Sequence, residues 1–313
     1  MNIKNKIKKL LFDLNFYKLT SLADTCYIMA YHRVVKTPGE LFPDLSIEVF
    51  EKQIQHLSQN YTIVPMVDLV DRINKGKSLK RLVALTFDDG FKDNFTNAFP
   101  ILKNFNAPAT VYLITECIET GKAPWFMHFR QAFLETSLKN CDFKLGNQRF
   151  SFVLETMENR KKASDQMMAF LQKCNNHIRI EYLTHIFDLF DYHDSDHLSN
   201  MMLNWEEIRE MSNHGISFGA HTHTHPVLAS LDLFEAEQEI VRSKAIIEEK
   251  LNINVDEFAY PVGKRIHYSD LLFPILKNHG FKYAVTTSKD RISHHSNLHS
   301  LSRPYPWELE LLK

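Results

Sequence analysis

Three histidines alternate within five residues of the stretch GAHTHTHPVL: His221, His223 and His225. Imidazole nitrogens are good ligands for zinc and related divalent ions, and a catalytic metal site commonly uses three protein ligands and leaves a position open for water. The run follows the strand-like ISFGA and is cut by Pro226, which puts it in a turn at the C-terminal end of a strand. Across such a turn His221 and His225, four apart, can converge on one ion while His223 faces elsewhere. A pairing that uses His223 is the alternative.

Far upstream, LTFDDGFKDN carries a second unusual feature. An apolar run from Leu82 to Phe87 stops at Asp88, Asp89 and Gly90. Adjacent carboxylates repel unless each has its own partner. DDG by itself reads as a turn. Beside the histidines it reads as a hydrolytic metal centre: one carboxylate completes a two-His, one-Asp ligand set, and the other stays ionised as general base for a metal-bound water.

Such residues need a scaffold that brings strand ends together. CYIMAYH (26–32), YTIVPM, RLVALTF, PATVYLI, ISFGAH, EFAYP and FKYAVTT read as strands. SIEVFEKQIQHLSQ (46–59, with Ser46 as cap), TNAFPILKNFN, NWEEIREMSNHG, LFEAEQEIVRSKAIIEEKLN and DLLFPILKNHG read as helices. The alternation implies an α/β fold with a parallel sheet covered by helices. Residues 117–200 break the rhythm with helical stretches such as SDQMMAFLQKC and EYLTHIFDLF. They read as a mainly helical insertion on the loop after a strand, where barrels build their substrate sites. The expected organisation is a basic amphipathic segment, 1–25, and one domain, 26–313, interrupted by 117–200.

Composition narrows the function classes. A net charge of −1 gives no electrostatic reason to expect nucleic acid as partner. The 12 % aromatic content supplies ample surface to bury, which argues against disorder. Four cysteines without CxxC spacing read as buried thiols. No apolar run is long enough to span a bilayer, and Asp13 and Asn15 interrupt the apolar N-terminal stretch, so a cytoplasmic location is expected. Ile3, Ile7, Leu10, Leu11 and Leu14 share one helical face beside four lysines. Residues 1–20 are therefore expected to touch the inner face of the membrane peripherally.

TFDDG followed by HTHTHP resembles the polysaccharide deacetylase (NodB-homology) family, carbohydrate esterase family 4. YHRV, FAYPVG and LSRP look most like the branch that includes poly-N-acetylglucosamine deacetylases, and the match covers 26–116 and 201–303. The resemblance implies a distorted (β/α) barrel with fewer strands than the usual eight. It implies metal-dependent hydrolysis of acetyl groups on amino sugars, in a cell-surface polysaccharide or its lipid-linked precursor. A C–N hydrolase of the same fold acting on a small or cyclic amide, with 117–200 as lid, is the alternative.

By the same resemblance Asp88 is the general base, and Asp89 binds the metal with His221 and His225. Zn²⁺ is the first expectation for the ion, and Co²⁺, Ni²⁺ and Fe²⁺ also suit the ligands. The backbone N–H of Val262 stabilises the oxyanion. His32, in MAYHRV, is the general acid, with His299 as alternative. FAYPVG lacks the arginine that orients the base in many relatives. Arg303 is the candidate for that role, and Arg265 the second choice. Tyr260 and Trp205 are expected to line the sugar groove.

Overall fold

A computed structural model describes residues 26–39, 42, 44–193 and 198–306. The amphipathic segment expected over 1–20 lies outside the described residues. Among the described residues no helix is long and apolar enough to cross a membrane.

Strand β1 (Tyr27–Tyr31) leads into a small parallel pair, β2 (Val34–Val35) and β3 (Leu45–Ser46). The Ser46 hydroxyl accepts a hydrogen bond from the Val49 N–H at 3.3 Å and so caps α1 (Ile47–Asn60). Phe50, Ile54 and Leu57 bury one face of that helix. YTIVPM, expected as a strand throughout, is a strand only at β4 (Thr62–Ile63). Pro65 has no N–H for a ladder, and it opens α2 (Met66–Asn74), whose Leu69, Val70 and Ile73 repeat at helical spacing.

Strand β5 (Leu82–Phe87) is buried at all six positions. After it, Asn94–Ala98 winds as a π-turn into α3 (Phe99–Asn104). Pro100 explains the wide turn, because it has no N–H to give to the carbonyl four residues back. The main fold continues with β6 (Ala109–Leu113) and α4 (Thr115–Thr120).

The segment that follows holds α5 (Trp125–Glu135), a hairpin of β7 (Asn140–Leu145) and β8 (Gln148–Val153), α6 (Met157–Leu171) and α7 (Asn176–Leu189). The hairpin departs from the helical expectation. Its cause is local: Cys141, Phe143 and Leu145 alternate with exposed neighbours, and Gly146 supplies the positive φ, 57°, of a tight turn. This segment packs around its own core, in which Phe129, Phe133, Phe143, Phe150, Met167 and Ile186 meet.

The chain then returns through α8 (Trp205–Ser212), β9 (Ile216–Ala220), α9 (Leu233–Leu251), β10 (Glu257–Ala259), α10 (Leu272–Asn278) and β11 (Tyr283–Val285). The strands pair in parallel in the order β1-β5-β6-β9-β10-β11, with β4 added against β5. An irregular stretch, 301–304, closes the gap between the edge strands. Leu301 N–H donates to Ala284 O at 2.9 Å, Thr286 N–H to Leu301 O at 2.8 Å, and Ala30 N–H to Pro304 O at 3.2 Å. The result is the distorted (β/α) barrel. Ile28, Ala84, Tyr112, Ala259 and Val285 fill its interior. Gly219 is required there, since a Cβ would stand 2.6 Å from the Tyr112 ring.

Because the strands are parallel, their C-terminal ends share one rim. His32 follows β1, Asp88 and Asp89 follow β5, His221 follows β9, and Val262 lies just past β10. The helical and hairpin segment leaves from that rim too, after β6.

Candidate active site

Asp88 still pairs like a strand residue, giving its N–H to Tyr31 O at 3.0 Å. Asp89 and Gly90 then adopt φ of 76° and 79°. A left-handed step at a non-glycine residue is strained and reverses the chain. The two adjacent carboxylates therefore diverge instead of repelling along one strand. Gly90 must be glycine as well, because a Cβ would come within 2.8 Å of Leu113 Cδ2.

Asp88 faces Arg303. The guanidinium donates from Nη1 to Oδ1 at 2.7 Å and from Nη2 to Oδ2 at 2.8 Å. Nη1 also donates to Thr86 Oγ1 at 2.9 Å, Nε donates to the Thr286 carbonyl at 3.1 Å, and the cation lies 5.2 Å over the Tyr112 ring. Both partners of the fork are buried. Burial alone raises the pKa of Asp88, but Arg303, with His221 and His32, overcomes it and holds the carboxyl well below its usual range.

Asp89 faces the histidines. Its buried Oδ1 has no hydrogen-bond partner, while His221 Nε2 and His225 Nε2 stand 3.5 and 3.6 Å from it. The three ligand atoms lie within 4.8 Å of one another, and all three residues are buried. An orphaned carboxylate oxygen between two imidazoles is the donor set of a divalent ion, so these residues fit a metal. His221 is oriented for it: Nδ1 donates to the Ala259 carbonyl at 2.7 Å, which leaves the Nε2 lone pair toward Asp89. Burial, more than any other influence, pushes His225 down to about 3, so it is neutral and able to ligate.

His223 points out of this cluster. Its Nδ1 meets Thr115 Oγ1 at 2.9 Å, and its N–H goes to Glu239 Oε2 at 2.9 Å. Glu239 also accepts from Thr224 N–H and its hydroxyl, which clamps the outer side of the histidine loop. On the inner side Trp125 Nε1 donates to the His225 carbonyl at 3.1 Å, and the Phe126 ring lies 4.9 Å from the His225 ring. The Arg179 guanidinium lies 4.6 Å over Trp125. The sequence reading singled out none of these three, although PWF opens the segment they come from.

His32 Nε2 stands 4.0 Å from Asp88 Oδ2, its buried Nδ1 has no partner, and its carbonyl is held by Asn94 Nδ2 at 2.7 Å. Val262 has φ 60°, and Gly263 N–H donates back to Pro261 O at 2.7 Å. That is a γ-turn of the strained, positive-φ kind at a β-branched residue. Thr287 holds it, with Oγ1 on Val262 O at 2.8 Å and N–H on Gly263 O at 3.0 Å.

These groups border one cavity of about 350 Å³, which also receives Phe42, Trp125, Phe126 and Tyr305. The other expected residues are elsewhere. Tyr260 is core, its hydroxyl on His299 O at 2.9 Å and its ring stacked on Tyr268. Trp205 packs against the main core. Neither lines the cavity. His299 turns its Nε2 to the Phe281 carbonyl at 3.1 Å, and Arg265 pairs with Asp270 at 2.9 Å; neither reaches Asp88.

Comparison with known proteins gives the family and the fold. The family model described as polysaccharide deacetylase matches residues 75–284, more than half of the chain. YxkH of Bacillus subtilis, a polysaccharide deacetylase by name, is 21 % identical over 276 residues, covering 88 % of this chain and 69 % of its own. A poly-β-1,6-N-acetyl-D-glucosamine N-deacetylase of Staphylococcus epidermidis is 39 % identical over 70 residues, 22 % of this chain and 24 % of that protein's length. Among solved structures, the Streptococcus pyogenes deacetylase PplD, in complex with acetate, superposes with a TM-score of 0.60 at 22 % identity, covering 92 % of this chain and 97 % of that one. IcaB from Ammonifex degensii gives 0.59 at 19 % identity, covering 90 % and 92 %. At these identities the two structures establish the shared fold.

Proposed function

This chain belongs to the polysaccharide deacetylase family, and we propose that it hydrolyses the acetamide of an N-acetylated amino sugar with the help of one bound divalent ion, Zn²⁺ first among those that suit the ligands. One observation carries this reading. A buried Asp89–His221–His225 set with an orphaned carboxylate oxygen shares a cavity with Asp88, which is fixed by Arg303. The name of the staphylococcal relative supports an N-acetylglucosamine polymer of the cell surface, or its lipid-linked precursor, as substrate.

Asp89, His221 and His225 would hold the ion. When bound, it supplies Lewis acidity, which polarises the acetyl carbonyl and acidifies a water. Asp88 accepts the proton of that water as it attacks the carbonyl carbon. The Arg303 fork occupies one lone pair of each Asp88 oxygen and leaves others for this step. The same fork makes Asp88 a weak base, so the reaction needs an acidified water. Among the described residues the Val262 N–H donates to no protein group, and at the cavity wall it hydrogen-bonds the oxyanion. His32 Nε2 then gives a proton to the departing nitrogen as the C–N bond breaks, leaving acetate and a free amine.

An acetate-release screen over N- and O-acetylated glycans, with and without added divalent ions, tests the reading. Acetate and new amine should appear from N-acetylglucosamine oligomers and depend on the ion. Release only from O-acetyl esters, or turnover only of a small cyclic amide, would rule it out.

A further inference from the structure

The catalytic cavity has a neighbour that the reaction leaves unused. A second cavity, of about 480 Å³, shares Gln172 and Lys264 with it and lies between the end of α6 and the turn from Lys264 to His267. Both volumes fall within the range of small-molecule sites, roughly 300–1,000 Å³.

Three groups on the wall of the second cavity stand without a use. His267 is 6 % exposed, and its Nδ1 has no hydrogen-bond partner. Lys173 and Lys264 are exposed, and neither forms an ion pair among the described residues. No carboxylate lines this cavity. In the catalytic cavity next to it, Asp88 already has Arg303, and Asp89 faces the two histidines. Two uncompensated cations beside a neutral, unsatisfied imidazole make a positive pocket; burial and then the Lys264 charge push His267 down to about 4.

We propose that the second cavity is a subsite for the sugar next to the one that is deacetylated, and that it selects a neighbour carrying an acidic group, a phosphate or a uronate carboxylate. Lys173 and Lys264 meet the anion, and the His267 side chain is part of the wall between this subsite and the body of the protein. Lys264, on the wall common to both cavities, couples the two sugars. This assignment rests on the deacetylase reading and narrows its substrate to an acidic glycan.

The test uses the full chain loaded with a divalent ion and three N-acetylglucosamine-containing oligosaccharides of one length. One is neutral, one alternates with glucuronate, and one bears a phosphomonoester. Acetate release should show kcat/KM about tenfold higher on at least one acidic oligomer, the gain lying in KM and shrinking with added salt. The better of the two acidic arms identifies phosphate or carboxylate. Charge reversal by Lys173→Glu should abolish the preference, and Lys264→Glu should do the same. Equal or better turnover of the neutral oligomer by the wild type, or a preference that survives both substitutions, overturns the subsite. Failure to release acetate from any of the three overturns the deacetylase reading beneath it.

Discussion

Arg303 reaches across the barrel mouth to place two parallel hydrogen bonds, 2.7 and 2.8 Å, on the two oxygens of Asp88, and both residues are buried. A buried carboxylate with one fixed cation is highly sensitive to loss of that cation. Arg303→Met should destabilise the protein by about 3–5 kcal/mol, as expected for breaking a buried pair. Arg303→Lys, which keeps the charge and loses the fork, has a kinetic signature as well. Asp88 must be ionised to act and is held low by Arg303, so a looser partner raises its pKa. The acid limb of the kcat/KM–pH profile should then move to higher pH; an unmoved limb would mean that another group controls it.

Removal of metal should be visible in stability. The unpartnered Asp89 Oδ1 and the two imidazoles converge, their ligand atoms within 4.8 Å of one another. An ion that binds only the folded chain stabilises it by about 2.7 kcal/mol when present at one hundred times its dissociation constant. The thermal midpoint should fall on chelation and return on adding Zn²⁺, and His225→Ala should abolish the response. A midpoint indifferent to chelator would contradict the ligand assignment.

Trp125 links the helical and hairpin segment to a ligand. Its indole N–H holds the His225 carbonyl, and Arg179 packs on its face. Trp125→Phe preserves an aromatic wall but deletes the donor. Groups that orient metal ligands are commonly worth ~10–100-fold in metal affinity. We expect at least the lower end of that range by competition with a chromogenic chelator, with circular dichroism unchanged.

Glu257, the first residue of β10 and so at the other end of the strands from the rim, sets a pH dependence of its own. It is buried and hydrogen-bonded by Tyr283 at 2.8 Å and Tyr112 at 3.4 Å. Burial outweighs those bonds and pushes it up to about 7 from an ordinary 4.5. Between these values the folded chain keeps a proton that the unfolded chain has lost. The contribution to stability is therefore complete below about 4.5 and is lost as pH rises to about 7. The full interval corresponds to roughly 3 kcal/mol as an upper bound. Urea unfolding of Glu257→Gln should show this slope removed; an unchanged slope would assign it to other groups.

What the sequence made legible was local. The two halves of the centre, DDG and HTHTHP, are short motifs whose ligands lie within a few residues, so their chemistry could be read without the fold. Ser46 as a cap and the helix after it were legible for the same reason. Arg303 was a candidate through the LSRP stretch and the base-orienting arginine that the family resemblance implies, not through any spacing to Asp88. Its place beside Asp88 depends on an irregular stretch closing the barrel between β11 and β1, which no periodicity announces. The cavity aromatics were missed because Phe42, the Trp125–Phe126 pair and Tyr305 come from three separated places in a line of common core-type residues. Tyr260 and Trp205 were favoured because aromatic faces suit sugar rings, yet Tyr260 stacks on Tyr268 and Trp205 packs on the main core, contacts that residue type alone does not announce.

Two adjacent aspartates are expected to hold different offices, Asp89 binding the ion and Asp88 taking a proton from water. Metal content and acetate release, measured together on Asp88→Asn and Asp89→Asn, address it directly. Asp88→Asn should keep one bound ion, as in the wild type, with activity down about 10²–10⁴-fold, and Asp89→Asn should lose the ion or bind it far more weakly. Full activity in Asp88→Asn, or wild-type metal binding in Asp89→Asn, would contradict it.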